Sequence, residues 1–514
     1  MRRLSWMLIC VLLLASIAGL PPRAEGQQAR EIRVRMQFSG PRSLDPVYNT
    51  RAADYFTYSN IFNNLVRWKP GGTELEADLA ERWEISADGR IYTFYLRRGI
   101  QFHKNYGEVT AEDAKFSFDR FSDPKVATPN AGDWKNVERI EVVDRYTIRI
   151  TLRERAFTFI TNQITSRPAA ILSKRAVEEK GDRFARDPIG TGPFVFESWS
   201  AADEITLVAN PRYFRGAPRL AKVTFVPILE EAVAVAALER GQIHVMWTRG
   251  SPDAIEVLRR NRDIRTQVVA RVASVRALGF NPSYAPLRDV RVRHALAHAV
   301  NKNDIAIATG ALLAPAEHPL PRTPWLFEAQ QRGAFPIYRY DPQRARQLLA
   351  EAGAPNLRLV LSYPLRSPDG TMTQVLAEQW RRVGVDTVLE GIEQRAWDTR
   401  RSQGQYQVTT IGIGRGPDPD ELARDLFHSS NFPPGENVGY YDKADGLIDA
   451  GARERNPDLR QRIYIAFLKQ AMTDLPVLPL AYDAYLAAWR APVSSMAHGI
   501  NNDFAADTIV LGGP

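Results

Sequence analysis

Apolar and polar residues alternate along two short stretches in the first third of the chain. Between residues 83 and 102 the turn pair Asp88-Gly89 interrupts the alternation, which predicts a β-hairpin. A second hairpin is predicted at 140–150, with its turn at Asp144-Arg145. Between the two, Thr110-Ala-Glu-Asp113 has the spacing of a capping box and predicts the start of a helix. This part of the chain is therefore expected to be rich in hairpins.

From residue 188 onward, the period of the apolar positions changes repeatedly between that of strands and that of helices. Helices are predicted at 230–240, where Gly241 ends the pattern, at 341–353, where Asp341-Pro342 begins it, and at 371–383. Helices that alternate with strands are typical of α/β layers, so two such layers with parallel or mixed sheets are predicted. The strands are predicted at 194–196, 205–208, 223–226, 243–247, 357–361, 385–389 and 406–411.

The composition is that of a soluble globular protein. The chain has 514 residues, of which 44% are hydrophobic and 25% charged. Such a length suggests roughly three structural units, and the proportions exclude disordered, collagen-like and polytopic membrane chains.

The N-terminus has the pattern of a secretory signal. Arg2 and Arg3 precede an apolar run at 8–14, and Ala24-Glu25-Gly26 follows with small residues where a signal peptidase reads them. We expect cleavage after residue 26 and a mature, periplasmic chain beginning near Gln27; the alternative is a retained membrane anchor, for which the run is short. The single cysteine, Cys10, lies inside the apolar run without the flanking residues of a lipidation site. The mature chain is expected to carry neither a lipid nor a disulfide.

The charge pattern is not the one typical of nucleic-acid-binding proteins. The formal net charge is +8, and removal of Arg2, Arg3, Arg23 and Glu25 leaves +6. The basic residues are scattered among acidic ones, as in Glu-Arg-Trp-Glu at 81–84, instead of forming a basic stripe. A solvated, arginine-rich surface is the favoured interpretation.

Motifs for catalysis and cofactors are weak. The sequence contains no phosphate-binding loop, no Gly-x-Ser-x-Gly and no His-Glu-x-x-His. Gly412-Ile-Gly414-Arg-Gly416 departs from a dinucleotide fingerprint in its spacing. His294 and His298 have the spacing of metal ligands on a helix but lack a third ligand nearby, so surface or core histidines are the favoured interpretation. No catalytic residue, metal or cofactor is predicted.

Longer segments resemble the family 5 extracytoplasmic solute-binding proteins, which are the dipeptide-, oligopeptide-, nickel- and opine-binding components of ABC importers. The segments come in the family's order over nearly the whole mature chain. They are 78–90 and 95–103, Thr110–Phe118, Gly190-Thr-Gly-Pro-Phe194, Asn210-Pro-Arg-Tyr-Phe214, Gly279-Phe-Asn-Pro282, Asp289–Leu296 and Tyr340–Gly353.

This resemblance implies an α/β protein with the two-lobed periplasmic binding protein fold of cluster C type and an additional hairpin-rich domain. After the signal peptide at 1–26, lobe 1 is expected to comprise 27–63, 188–278 and 478–514, with 64–187 as its appended domain. Lobe 2 is expected at 279–477. The chain would cross between the lobes near Phe280 and near Leu478.

The resemblance also implies a function without catalysis. The protein is expected to capture a small solute, peptide-like or anionic, between its lobes and to deliver it to ABC permease subunits in the inner membrane, working as a monomer. Two alternatives remain at this point: a periplasmic hydrolase, and a peptide-binding, chaperone-like protein that uses the same cleft.

Three candidate ligand-binding residues depend on the resemblance to peptide-binding members. Those members anchor the ligand's amino group with an aspartate in a segment similar to 412–420 of this chain, where Arg415 takes the place of that aspartate while Asp418 and Pro419 match. Arg366 lies near the position of a carboxylate-binding arginine. Two arginines in one cleft would favour a ligand with a carboxylate or phosphate group. The alternative for Arg415 is that it points into solvent.

Four further candidates complete the predicted site. Trp247, Trp397 and Tyr363 lie close to predicted strand ends, where ligands collect in α/β layers, and each has core packing as its alternative. Asn281 belongs to the matching segment 279–282.

Overall fold

The computed structural model describes residues 30–48, 52–70, 72–248, 252–366, 368–497 and 504–512. The predicted signal peptide at 1–26, including Cys10, lies outside the described residues. No helix in the described ranges is long and apolar enough to cross a membrane.

Strands and helices alternate through most of the described chain. The strands are β1 Glu31–Met36, β2 Val66–Trp68, β3 Leu75–Ala77, β4 Ala80–Ile85, β5 Ile91–Leu96, β6 Val137–Asp144, β7 Thr147–Leu152, β8 Phe194–Trp199, β9 Ile205–Ala209, β10 Lys222–Pro227, β11 Val245–Thr248, β12 Arg265–Phe280, β13 Leu313–Pro315, β14 Arg358–Pro364, β15 Asp386–Ile392, β16 Val408–Gly414, β17 Val477–Trp489, β18 Val493–Ser495 and β19 Val510–Leu511. The helices are α1 Ala52–Tyr58, α2 Ala111–Asp119, α3 Lys174–Lys180, α4 Glu231–Glu239, α5 Pro252–Arg260, α6 Ala285–Arg288, α7 Val290–His298, α8 Lys302–Ala308, α9 Pro324–Gln331, α10 Pro342–Glu351, α11 Asp369–Arg381, α12 Gln394–Ser402, α13 Pro419–Phe427, α14 Asp445–Arg453 and α15 Pro457–Asp474.

Both predicted hairpins are confirmed, and they form one antiparallel sheet in the order β4-β5-β7-β6. The first turn contains Gly89 with a φ of +69°, a left-handed conformation that favours glycine. The predicted capping box is also confirmed: the backbone N–H of Thr110 donates to Oδ2 of Asp113 at 3.0 Å, at the start of α2.

The predicted α/β layers belong to one mixed sheet. Its order is β15-β14-β16-β12-β17-β11-β1-β10-β9-β8, with β13 paired to β17 at the side. Strands β1 and β10 pair in parallel, as do β14 and β15, whereas β12 pairs antiparallel with both β16 and β17. The predicted helices at 230–240, 341–353 and 371–383 are confirmed as α4, α10 and α11.

Two large hydrophobic cores lie along this sheet. The first contains buried residues from 32–245 and 485–509, including the hairpin sheet, and the second contains residues from 273–481. We call the part of the molecule around the first core lobe 1 and the part around the second lobe 2. Apart from β12 and β17, each core is built from its own strands and helices, so each lobe can move as a unit.

The long strands β12 and β17 run through both lobes. Strand β12 pairs with lobe 2 strand β16 only from Ser274 onward, and its pairing with β17 shifts register between Ala270 and Val275 and again after Arg276. Such irregularities bend a sheet locally. The lobe boundaries remain predictions, and this pairing favours crossings inside β12 and β17, several residues away from Phe280 and Leu478.

Candidate functional site

A cavity of about 610 Å³ lies between the lobes. Lobe 1 supplies lining residues from 55–78, from the hairpin region at 130–170 and from 504–507. Lobe 2 supplies the connection from β16 into α13, at 414–425, and Arg271 of β12 borders the same space. Pockets of this size between structural units are typical sites for small molecules.

The glycines of the connection from β16 make room for arginines of β12. A Cβ atom at Gly412 would lie 2.5 Å from an Nη atom of Arg276, and one at Gly414 would lie 2.9 Å from an Nη atom of Arg271. Both distances are shorter than side-chain atoms tolerate. A side chain at 412 or 414 would therefore require the end of the neighbouring arginine to move.

Arg415 lines the cavity, and its charge is already compensated. Its Nε donates to Oδ2 of Asp425 at 2.5 Å, and its Nη1 donates to the backbone carbonyl of Gly414 at 3.1 Å. Burial raises the pKa of Asp425, and the guanidinium of Arg415 opposes that shift. A ligand anion at this position would have to compete with Asp425.

Arg366 does not line the cavity. Its Nε donates to Oδ2 of Asp369 at 2.9 Å, and Asp369 also accepts from the buried Arg276. Of the two arginines, only Arg415 borders this cavity, so the role of Arg366 at the ligand and the anionic ligand itself stay predictions.

Asp418 links the two lobes instead of lining the cavity. It caps α13 by accepting from the backbone N–H of Asp420 at 2.9 Å, and it accepts two hydrogen bonds from Arg460 at 2.7 and 2.9 Å. Thr161 of the hairpin region donates its hydroxyl to Oδ2 of Asp418 at 3.1 Å. The capping position explains the match of Asp418 and Pro419 to the family pattern on structural grounds.

The remaining candidates lie behind the cavity wall. Trp247 packs edge-on against Phe56 and against Phe504, and only Phe504 of these three lines the cavity. Trp397 is buried and donates from its indole N–H to the hydroxyl of Thr409 at 3.2 Å.

Tyr363 is buried in β14, and Asn281 donates to the backbone carbonyls of Gly404 and Tyr406 at 3.1 and 2.9 Å. The positions of Trp247, Trp397 and Tyr363 match the core-packing alternative, and ligand contact by these residues and by Asn281 stays a prediction.

His294 and His298 do not form a metal site with a third ligand. Nε2 of His294 donates to the carbonyl of Thr473 at 2.8 Å, Nδ1 of His298 donates to that of Arg339 at 2.9 Å, and both rings pack against Tyr338. No group of three or more potential metal ligands occurs among the described residues.

No sequence pattern predicted the lining residues that come from lobe 1. The guanidinium carbon of Arg167 lies 4.4 Å from the ring centre of Tyr55, and both residues border the cavity. Asn63 and Asn64 interrupt the apolar run at 61–66, which is the one local signal that polar groups are needed there. These residues come from the short helix α1 and from loops, so no strand or helix period reveals them.

The cavity lining is rich in charges of both signs. The cations are Arg67, Lys69, Arg167, Arg271, Arg415 and Arg424, and the acids are Asp78, Asp133, Asp420, Glu421, Asp425 and Asp507. Burial raises the pKa of Glu421 to about 8, against the opposing effect of the Gly416 N–H and of Arg415.

Comparison with known proteins shows that both the sequence and the fold are similar to those of bacterial binding proteins. The sequence profile described as "Bacterial extracellular solute-binding proteins, family 5 Middle" matches residues 74–434, which is more than half of the chain. The chain is similar to heme-binding protein A of Haemophilus influenzae, with 28% identity over 91% of this chain and 89% of that protein. It is also similar to the dipeptide-binding protein of Escherichia coli, with 28% identity over 88% and 89%. Among solved structures, HbpA2 from Haemophilus parasuis superimposes with a TM-score of 0.82 and 26% identity, covering 94% of this chain and all of that one.

Proposed function

The chain belongs to family 5 of the bacterial extracellular solute-binding proteins, and from this premise we propose that it captures its solute in the cavity between the lobes. The observation that carries the proposal is the 610 Å³ cavity, whose lining comes from both lobes. A solute that contacts both lobes binds the closed state better than the open one and so shifts the population toward closure. The shared strands β12 and β17 supply a covalent and hydrogen-bonded connection about which such a closure can occur.

The proposed solute is small and peptide-like, and the proposed partner is the permease of an ABC importer in the inner membrane. Support comes from the relatives, which are dipeptide- and heme-binding proteins by name. Family 5 proteins are extracellular, and we propose a periplasmic, unlipidated monomer with cleavage near Gln27. Because the relatives are binding proteins and not enzymes, we propose no catalytic step.

The capture of a solute is tested by releasing what the protein carries. Protein purified from its own host without denaturant is unfolded, and the freed small molecules are identified by mass spectrometry. We expect one solute, or one narrow chemical class, in a ratio approaching one per chain. A broad mixture of long peptides in many registers would instead support the chaperone-like alternative, and turnover of ester or peptide substrates would support a hydrolase.

Thr161→Ala is expected to weaken solute binding by about tenfold or more. The lost hydroxyl donates to the Asp418 carboxylate across the two lobes, and a hydrogen bond to a charged group contributes about 1.5 to 3 kcal/mol. Titration calorimetry with the released solute measures the change. Thr161→Ser keeps the hydroxyl and serves as the matched control. Equal affinities for the alanine and serine variants would show that this contact does not stabilise the bound state.

A further inference from the structure

The two lobes line the cavity with different kinds of side chain. The lining residues of lobe 2 are Gly414, Gly416 and charged residues between 415 and 425. All serine, threonine, asparagine and glutamine residues of the lining come from lobe 1, and they are Ser59, Asn63, Asn64, Asn130, Thr161, Asn162, Gln163, Thr165 and Ser166. Hydrogen bonds from neutral hydroxyl and amide side chains of this kind to a solute would therefore come from lobe 1.

More than half of these neutral side chains belong to one short segment, 161–166, which overlaps the π-helix Ile160–Ile164. The backbone N–H of Thr165 donates to the carbonyl of Ile160 at 3.0 Å, five residues earlier in the chain. The hydroxyl of Thr165 also donates to the carbonyl of Thr161, at 2.8 Å. Single π-helical turns are rare and frequently lie at functional sites.

The π-helix is firmly anchored to lobe 1. The side chains of Ile160 and Ile164 are buried in the first core. The side-chain amide of Asn64 donates to the carbonyls of Ile164 and Ser166, at 3.1 and 2.9 Å. Groups that are held in place before a solute arrives lose less conformational entropy when they bind it.

Two consecutive side chains of this turn keep hydrogen-bonding capacity. Among the described residues, the side chain of Gln163 has no hydrogen-bond partner, although its backbone carbonyl accepts from the hydroxyl of Ser166 at 2.6 Å. The side chain of Asn162 has one partner in the same part of the chain, the Thr161 hydroxyl, which lies 3.0 Å from its Oδ1. Both side chains are half-buried and line the cavity. Their amides are therefore available to a solute.

We propose that Asn162 and Gln163 bind an amide group of the solute. An amide places an N–H donor beside a carbonyl acceptor, and asparagine and glutamine side chains pair with such neighbouring groups through two hydrogen bonds at once. This inference rests on the proposed function and adds the group that lobe 1 recognises. The amide belongs either to the backbone of the solute or to a side-chain carboxamide, and the test below distinguishes the two sources.

Thr161 couples this subsite to the contact between the lobes. Its hydroxyl oxygen lies 3.0 Å from the carbonyl of Thr158, 3.0 Å from Oδ1 of Asn162 and 3.1 Å from Oδ2 of Asp418 in lobe 2. A hydroxyl has one proton and donates to one of these acceptors at a time. When Thr161 donates to Asp418, Oδ1 of Asn162 is left to accept from the solute. Closure of the lobes and binding of the amide therefore favour each other.

Two variants remove the proposed contacts with little risk to folding. Gln163→Met keeps the length of the side chain and removes its amide, and Asn162→Ala removes the neighbouring amide. Both residues are half-buried and lie outside the hydrophobic cores. Gln343→Met is the matched control, because Gln343 is exposed on α10 and does not line the cavity.

The test is titration calorimetry of the protein freed of solute with two sets of peptides. The first set is Ala-Ala-Ala and two analogues, each with an ester in place of one peptide bond, which removes the N–H and keeps the carbonyl. The second set is Ala-Gln-Ala and Ala-Met-Ala, which differ in the side-chain carboxamide. We expect the parent and Gln343→Met to bind the amide-bearing member of one set about tenfold more tightly, because its analogue leaves a hydrogen-bonding group of the protein unpaired. The set that shows this preference identifies the source of the amide, and Gln163→Met and Asn162→Ala should lose the preference.

Two results would overturn the inference while leaving the proposed function intact. One is a parent protein that binds these peptides with equal affinities within both sets. The other is a preference of the same size in the parent, Gln163→Met and Asn162→Ala. Failure of the parent to bind any of the peptides would count against a peptide-like solute and would overturn that part of the proposed function together with the inference.

Discussion

Replacing Arg276 by methionine is expected to lower the free energy of unfolding by about 3 to 5 kcal/mol, the usual effect of removing one partner from a buried ion pair. Arg276 is buried on β12, where its Nε donates to Oδ1 of Asp483 at 2.8 Å and its Nη1 donates to both carboxylate oxygens of Asp369 at 2.9 and 3.0 Å. Burial disfavours the guanidinium charge, but Asp483 and Asp369 together raise the pKa of Arg276 above its ordinary value. Methionine would leave both carboxylates buried without this cation.

Denaturant unfolding at neutral pH measures this loss as a shift of the midpoint. Arg381→Met is the matched control, because Arg381 forms an exposed pair with Glu378 and such pairs contribute about 0 to 1 kcal/mol. The triple variant with Asp369→Asn and Asp483→Asn should recover part of the stability, since it removes two buried negative charges that have lost the cation between them. An Arg276→Met protein whose free energy of unfolding lies within about 1 kcal/mol of the parent's would show that the Arg276 ion pairs do not stabilise the fold as expected.

The second large effect is a loss of stability in acid that comes from two buried histidines. His103 and His318 are each 3% exposed, and burial is the main reason why the pKa of each is lowered from 6.5 to about 4. Nearby cations add to the lowering: Lys104 acts on His103, and Lys302 and Arg322 act on His318. Both imidazoles are therefore neutral in the folded protein at pH 5.

The sign of the effect follows from proton binding. Between pH 6.5 and about 4 the unfolded chain binds a proton at each of these histidines and the folded chain does not, so stability falls as the pH falls. At 1.36 kcal/mol per pH unit, each histidine lowers the free energy of unfolding by about 3 kcal/mol across this window. Glu421 works in the opposite direction, because its raised pKa favours the folded state as the pH falls from about 8.

Because Glu421 contributes in the opposite direction, the contribution of each histidine is best measured by comparing a variant that lacks it with the parent. Urea unfolding of the parent, His103→Gln and His318→Phe at pH 7 and at pH 4.5 gives the pH dependence of each protein. Each substitution should reduce the loss of stability between the two pH values, although either variant is expected to be less stable than the parent at pH 7. A loss between pH 7 and pH 4.5 that is the same in all three proteins would show that these histidines do not titrate as described.

Much of the fold was predictable because its signals are local. The alternation at 83–102 and 140–150 specifies hairpins through neighbouring residues alone, and the Thr110–Asp113 spacing specifies its own helix start. Helix and strand periods after residue 188 likewise specify the α/β elements. The joining of those elements into one sheet depends on β12 and β17 pairing across hundreds of residues, which no local period encodes.

The site was less predictable because its properties depend on partners distant in sequence. Arg415 does line the cavity, but the sequence does not reveal that Asp425 compensates its charge, since the pair is set by how β16 enters α13. Gly412 likewise looks like part of a phosphate-binding turn until Arg276 of the neighbouring strand is seen to need its space. Glu421 carries no motif at all; burial raises its pKa, and this effect outweighs those of the Gly416 N–H and of Arg415.

We propose that solute is held between two lobes that close on it. It is tested most directly by small-angle X-ray scattering of the protein freed of solute, before and after saturation with the solute released from the native protein. Closure should lower the radius of gyration, and Thr161→Ala, which lacks a contact between the lobes, should need more solute to reach the same compact state. Scattering curves that stay the same with and without saturating solute would contradict the claim.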